Sequence, residues 1–175
     1  MYFITNYNID WPVRFEQIAS YLNKYLPDNC RIHHIGSTSV PDMPAKDIID
    51  IDIEYVAGTK AIIFKSLVEA GYEYLGDLGL HGRDAFKAIC DTHAANLPEH
   101  HLYACESGAY ELIKHLAYRD YLRSNRDRAL WLSKKKHLAA QTSKSKDEYI
   151  EKKSCYYELI TKESMDWLAR CRTRT

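Results

Sequence analysis

IHHIGSTSVPDMPAKDIIDIDIE, residues Ile32–Glu54, reads as a strand, a turn-rich loop and a second strand in succession. Ile48, Ile49, Ile51 and Ile53 make the second strand apolar, and Asp50 and Asp52 interrupt it. Side chains alternate along a strand, so the two aspartates share a face with Cα atoms about 6.5–7 Å apart. Two carboxylates on an apolar strand repel one another and lose hydration. A divalent cation relieves both costs, and Mg²⁺ or Mn²⁺ takes oxygen ligands while sharing a substrate's phosphates. Gly36 and Ser37 close the first strand, where backbone N–H groups and the hydroxyls of Ser37, Thr38 and Ser39 suit a phosphate. The same hydroxyls also serve as ordinary helix caps, and the two uses are compatible. Glu54 lies on the face of the aspartates at the strand's end and reads as surface. The combination predicts a phosphoryl- or nucleotidyl-transfer site.

Outward from this stretch, Asp10 is placed to cap a helix over residues 11–25, with Pro12 in its first turn and Phe15, Ile18 and Leu22 at helical spacing. Strands are predicted at 30–35 and 47–55, and one short helical turn within 36–46. A helix over 60–70 stops at Gly71. Strands at 72–77 and 84–91 flank a Gly-rich connection, and another strand covers 100–106. Beyond it the pattern turns helical: 107–124 with Ser107 as cap, 126–141 and 147–169, with a basic tail at 170–175 that frays. The expectation is one domain over 1–175: an α/β core over about 1–106 with a mixed or mostly antiparallel sheet, and a helical layer over about 107–170.

Composition bounds the function. The 175 residues carry 24 basic and 24 acidic side chains, so no overall charge favours nucleic acid or an anionic membrane. Lys134, Lys135 and Lys136 read as a solvated helix face. Five widely spaced cysteines without a CxxC pair argue against a disulfide framework or structural zinc. The N-terminus lacks a signal-peptide pattern and no stretch is apolar enough to span a bilayer, which makes the cytoplasm the expected location.

Other residues bear on the site. In a strand over 100–106, His101 and Tyr103 share one face, and His101 is a candidate third ligand or general base beside the carboxylates. His33, His34, His93 and His100 also flank the aspartate strand, and a hydrogen-bonded structural role is the alternative for His34, His93 and His100. Lys46, Arg83, Lys87, Arg119 and Lys153 are candidate partners for a triphosphate, with Lys46 favoured because it precedes the aspartate strand.

His34-Ile35-Gly36-Ser37-Thr38-Ser39-Val40-Pro41, Ala45-Lys46 and Ile48-Ile49-Asp50-Ile51-Asp52 resemble the GrpB family. So do Asp10-Trp11-Pro12, Gly71-Tyr72, Gly82-Arg83, the helix His115-Leu116-Ala117-Tyr118-Arg119-Asp120-Tyr121-Leu122-Arg123, and Tyr149 with Lys153. The resemblance covers nearly the whole chain. It implies membership of the nucleotidyltransferase superfamily: a small mixed sheet flanked by helices, with Gly36 and Ser37 as the phosphate loop and Asp50 and Asp52 as the metal pair. It also implies Mg²⁺-dependent transfer of a nucleoside monophosphate from a nucleoside triphosphate to an acceptor hydroxyl, and a link to coenzyme A metabolism. The sequence departs from the pattern at Asp47, where the family has proline, and at Tyr103, where it has histidine. No carboxylate on the 100–106 strand takes the third position, so either His101 assumes that role or the pocket binds without catalysis. A metal-dependent hydrolase using His101 is a further alternative.

Overall fold

A computed structural model describes residues 4–173. Five strands form one mixed sheet in the order β1-β2-β5-β4-β3, with β1 at Arg31–Ile35, β2 at Ile49–Tyr55, β3 at Tyr72–Gly76, β4 at Asp84–Ala88 and β5 at His100–Glu106. Only β2 and β5 run parallel. The return from β2 to a parallel β5 uses helix α2 (Lys60–Glu69) and the β3–β4 hairpin, as a crossover must.

The alternation seen in the sequence sorts the sheet's two faces. Ile49, Ile51, Ile53, Leu102 and Ala104 turn to one face and pack with Trp11, Ile18 and Leu22 of helix α1 (Trp11–Leu22) and Ile63 and Leu67 of α2. The other face carries Asp50, Asp52 and Glu54, and over it lie α3 (Tyr110–Ser124), α4 (Arg126–Thr142) and α5 (Lys146–Arg172). A second apolar cluster, with Val40, Met43, Tyr118, Leu122, Leu132 and Ile160, ties these helices to the loop after β1. Among the described residues, no helix is long and apolar enough to cross a membrane.

Several boundaries differ from expectation for local reasons. Asp10 caps α1 through its backbone without a side-chain bond. The side chain fixing that end is Asp47, which accepts from Trp11 Nε1 at 2.6 Å and Arg14 Nη1 at 2.7 Å. Ser107 does not cap α3; its hydroxyl donates to Glu54 Oε1 at 2.7 Å, and the helix begins at Tyr110. β4 stops at Ala88, three residues before Asp91, whose φ is +67°. Ser145 caps α5 by accepting from the Glu148 N–H at 3.2 Å, and the helix continues to Arg172 instead of fraying from 170; Arg174 and Thr175 lie outside the described residues.

Candidate functional site

The phosphate-loop candidate grows out of the β1–β2 pairing. Ile35 stands opposite Asp50 in the antiparallel register, so the chain leaves the sheet at Gly36 directly over the Asp50 side chain. Gly36 has φ +69°, and a Cβ built there would lie 2.4 Å from Asp50 Oδ2. Both the backbone conformation and the close approach therefore require glycine. Residues Ser37–Ser39 then form one turn of 3₁₀ helix.

Each aspartate is held by one histidine. His101 Nδ1 lies 2.8 Å from Asp50 Oδ1, and His115 Nδ1 lies 2.8 Å from Asp52 Oδ2. Carboxylates only accept, so both Nδ1 atoms carry the proton. The His101 pKa is raised chiefly by its bond to Asp50, against the opposing effect of burial. The parallel register supplies the first contact, since His101 sits beside Asp50 and Tyr103 beside Asp52. The second reaches down from α3. Asp50 stays 32% exposed, whereas Asp52 is fully buried and its Oδ1 has no hydrogen-bond partner.

Asp50 and Ser37 stand between two cavities. One, of about 160 Å³, is lined by Arg83, Tyr103, Tyr118 and Tyr157, and the Arg83 guanidinium lies 4.3 Å over the Tyr103 ring. The other, of about 180 Å³, is lined by Lys46, His101, Lys136 and Lys153. Lys153 reaches both. The helical layer thus closes the site from above while the sheet supplies the carboxylates.

The structure gathers Gly36, Ser37, Lys46, Arg83, Asp50 and His101 around these cavities, with Asp52 immediately behind, lining neither. It does not leave the Thr38 hydroxyl free: Thr38 is buried and lies 3.0 Å from His34 Nε2. Glu54 is no surface group. It accepts from Ser107 and lies 2.8 Å from His33 Nε2; burial pushes its pKa up, and these bonds outweigh burial and hold it low. His34 stacks on Phe15 at 4.8 Å, and its pKa falls to about 4, mainly through burial. His93 stacks on Tyr21 and His100 pairs with the Tyr72 hydroxyl, both away from the site. Arg119 pairs with Asp120 and donates to the His34 carbonyl, so it braces β1 and does not reach either cavity. Lys87 borders a different groove.

Sequence reasoning gave no role to His115, and it assigned Lys136 to solvent. Lys136 is only 2% exposed, donating to Ser37 Oγ at 2.9 Å and to the Pro44 carbonyl. A signal for it existed: Leu132, Lys136 and Ala139 recur at helical spacing and form the buried side of α4. Of the three tyrosines, Tyr103 was legible from its shared strand face with His101, and Tyr118 and Tyr157 carried no comparable signal.

The donor set fits a hard cation. Asp50 and Asp52 each commit one oxygen to a histidine and retain a second, and that of Asp52 is buried without a partner. Among the described residues, no group of three or more His, Cys, Asp and Glu side chains is arranged to hold a metal ion by itself. Two carboxylates completed by water and phosphate oxygens is the usual pattern for Mg²⁺.

Comparison with known proteins gives one consistent relationship. The family of GrpB protein matches over residues 2–163. The UPF0157 protein YqkA of Bacillus subtilis is 34% identical over 164 residues, which span 92% of this chain and 46% of YqkA, so the match covers about half of that relative. The glutamate-rich protein GrpB of Alkalihalophilus pseudofirmus is 27% identical over 91% of this chain and 94% of its own length. The crystal structure of conserved protein GrpB from Enterococcus faecalis superposes with a TM-score of 0.77 at 33% identity, covering 94% of this chain and 98% of that one. The poly(U) polymerase Cid1 superposes at a TM-score of 0.49 and 13% identity over 74% of this chain and 42% of its own, too slight a likeness to carry chemistry.

Proposed function

The chain belongs to the GrpB family, and from that premise we propose that it is a metal-dependent nucleotidyltransferase. It transfers a nucleoside monophosphate from a nucleoside triphosphate to an acceptor hydroxyl, in the cytoplasm. The observation that carries the reading is the apposition of Gly36 and Asp50: a turn with room only for glycine, closing on a carboxylate whose neighbour Asp52 keeps a buried, unpaired oxygen. Asp50 and Asp52 would hold Mg²⁺ or Mn²⁺, which when bound stabilises charge on the transferring phosphate. The backbone at Gly36, Ser37 and Thr38 and the Ser37 hydroxyl would orient the β- and γ-phosphates. Lys46 and Arg83 would offset their charge. His101 is suited to accept the acceptor's proton at Nε2, because its bond to Asp50 fixes the tautomer and raises its basicity.

The test is a thermal-shift panel of nucleoside triphosphates and coenzyme A precursors, with and without Mg²⁺ or Mn²⁺. A ligand well above its Kd raises the melting temperature. The expected result is stabilisation by a triphosphate that metal increases, the metal-dependent part being lost in Asp50→Asn/Asp52→Asn while the circular-dichroism spectrum is kept. Metal-dependent binding that survives the double substitution would sink the mechanism. One observation favours a second reading: His101 and Tyr103 occupy the β5 positions beside the two aspartates, where a third carboxylate would complete a transferase site. A non-catalytic nucleotide-binding module would give the same thermal shifts with no turnover of the triphosphate.

A further inference from the structure

The cavity on the lysine side of Asp50 has an unusual charge balance. Lys46, Lys136 and Lys153 converge on it, one from the loop before β2 and two from helices α4 and α5. Among the described residues, Asp50 is the carboxylate whose charge bears on both Lys136 and Lys153; each also feels a neighbouring lysine of the cluster, Lys153 for Lys136 and Lys46 for Lys153. Lys136 is almost wholly buried, and its hydrogen-bond partners, the Ser37 hydroxyl and the Pro44 carbonyl, are neutral. Like charges drawn together out of water are costly unless an opposite charge joins them.

The cavity on the other side of Asp50 shares Lys153 but is largely aromatic, with three tyrosines and a guanidinium already stacked on one of them. We propose that the lysine cavity is a polyphosphate-binding site, built by Lys46, Lys136 and Lys153 and independent of bound metal. The ligand class is a linear condensed phosphate: free, or as the tail of a nucleoside triphosphate. Only the second identity rests on the transferase reading. The site itself rests on the uncompensated ammonium groups. Through its bond to Ser37 Oγ, Lys136 also makes the phosphate loop one wall of this cavity. The polyphosphate would therefore lie between the loop and α4–α5, leaving the tyrosine cavity for a ring.

Calorimetric titration of inorganic tripolyphosphate in EDTA tests the proposal, with inorganic monophosphate, sulfate and ATP as further arms. Tripolyphosphate is expected to bind the unaltered protein at least tenfold more tightly than monophosphate or sulfate. Lys46→Ala and Lys153→Met, at an exposed and a half-buried position, should each weaken it about tenfold, and Lys136→Met should do the same if its circular-dichroism spectrum is retained. Lys87→Gln, on a different groove, should change the affinity less than threefold. ATP binding in EDTA with the same sensitivity to the lysines would identify a nucleotide tail; tripolyphosphate binding without ATP binding would identify free polyphosphate. No tripolyphosphate binding, equal binding of sulfate, or indifference to Lys46→Ala and Lys153→Met would overturn the proposal. Asp50→Asn/Asp52→Asn separates it from the transferase reading. That variant should keep or tighten metal-free tripolyphosphate binding because a repelling charge is gone, whether or not metal-dependent nucleotide binding ever existed.

Discussion

At the scale of single residues, Lys136 shows how burial sets the properties of this site. Removal from water, reinforced by Lys153, pulls its pKa from 10.5 down to about 7, against the attraction of Asp50. Between pH 7 and 10.5 the unfolded chain holds a proton on this lysine that the folded chain has released. Unfolding in that window takes up a proton, so stability rises with pH by up to about 1.4 kcal/mol per unit from this group. Below pH 7 both states are protonated and the cost of burying the charge is present in full. The expected outcome is a stability difference between Lys136→Met and the unaltered protein that favours the variant most at pH 6 and shrinks as pH rises to 10. Urea denaturation at pH 6, 8 and 10 measures it, and a difference independent of pH would refute the burial argument. A bound polyphosphate supplies the missing opposite charge, so the same lysine should take up a proton when tripolyphosphate binds.

At the scale of elements, the contact that joins the helical layer to the carboxylates is the bond from α3 to β2 through His115 and Asp52. Asp52 is fully buried and its second oxygen is already unpartnered, so loss of His115 would leave a buried carboxylate with no partner at all. His115→Leu is expected to cost at least about 1–3 kcal/mol, measured by chemical denaturation. His115→Asn, whose amide can donate from nearly the Nδ1 position, should recover much of that loss. Equal destabilisation by the two would assign His115 to packing alone. The elements themselves were largely legible because their signals are local: Ile49, Ile51 and Ile53 alternate, and Phe15, Ile18 and Leu22 recur at helical spacing. That the Gly36–Ser37 loop lies near Asp50 was legible for the same reason, whereas the close approach itself follows from the Ile35–Asp50 register, which no local signal sets. His115 and Lys136 were not, because what each touches depends on how α3 and α4 settle over the sheet, 63 residues from Asp52 in one case and 99 from Ser37 in the other. Asp10 and Ser107 had the chemistry of caps; Asp10 does stand at the N-cap, but through its backbone while Asp47 bonds the first turn, and Ser107 is drawn to Glu54.

At the scale of the whole molecule, the site lies between the two main apolar clusters, and Tyr118 of the second also lines it. One cluster fills the space between the sheet and α1–α2, and the other knits α3–α5 to the loop after β1. The polar side chains lie between the sheet and the helical layer, where Ser37, Asp50 and His101 come from the first and Lys136, Lys153 and Tyr157 from the second. A ligand held there contacts both parts at once, so its binding energy opposes any opening that separates them. Local openings otherwise occur below the free energy of global unfolding, and those that expose the site should be the ones a ligand suppresses. Hydrogen exchange with and without saturating tripolyphosphate reads this directly. Amides of residues 36–46 and of the α4 and α5 turns around Lys136 and Lys153 should slow together, while those of α2, on the far face of the sheet, keep their rates. Slowing confined to residues 36–46 would mean that the helical layer takes no part in binding, and the cavity walls contributed by Lys136 and Lys153 would then be structural only.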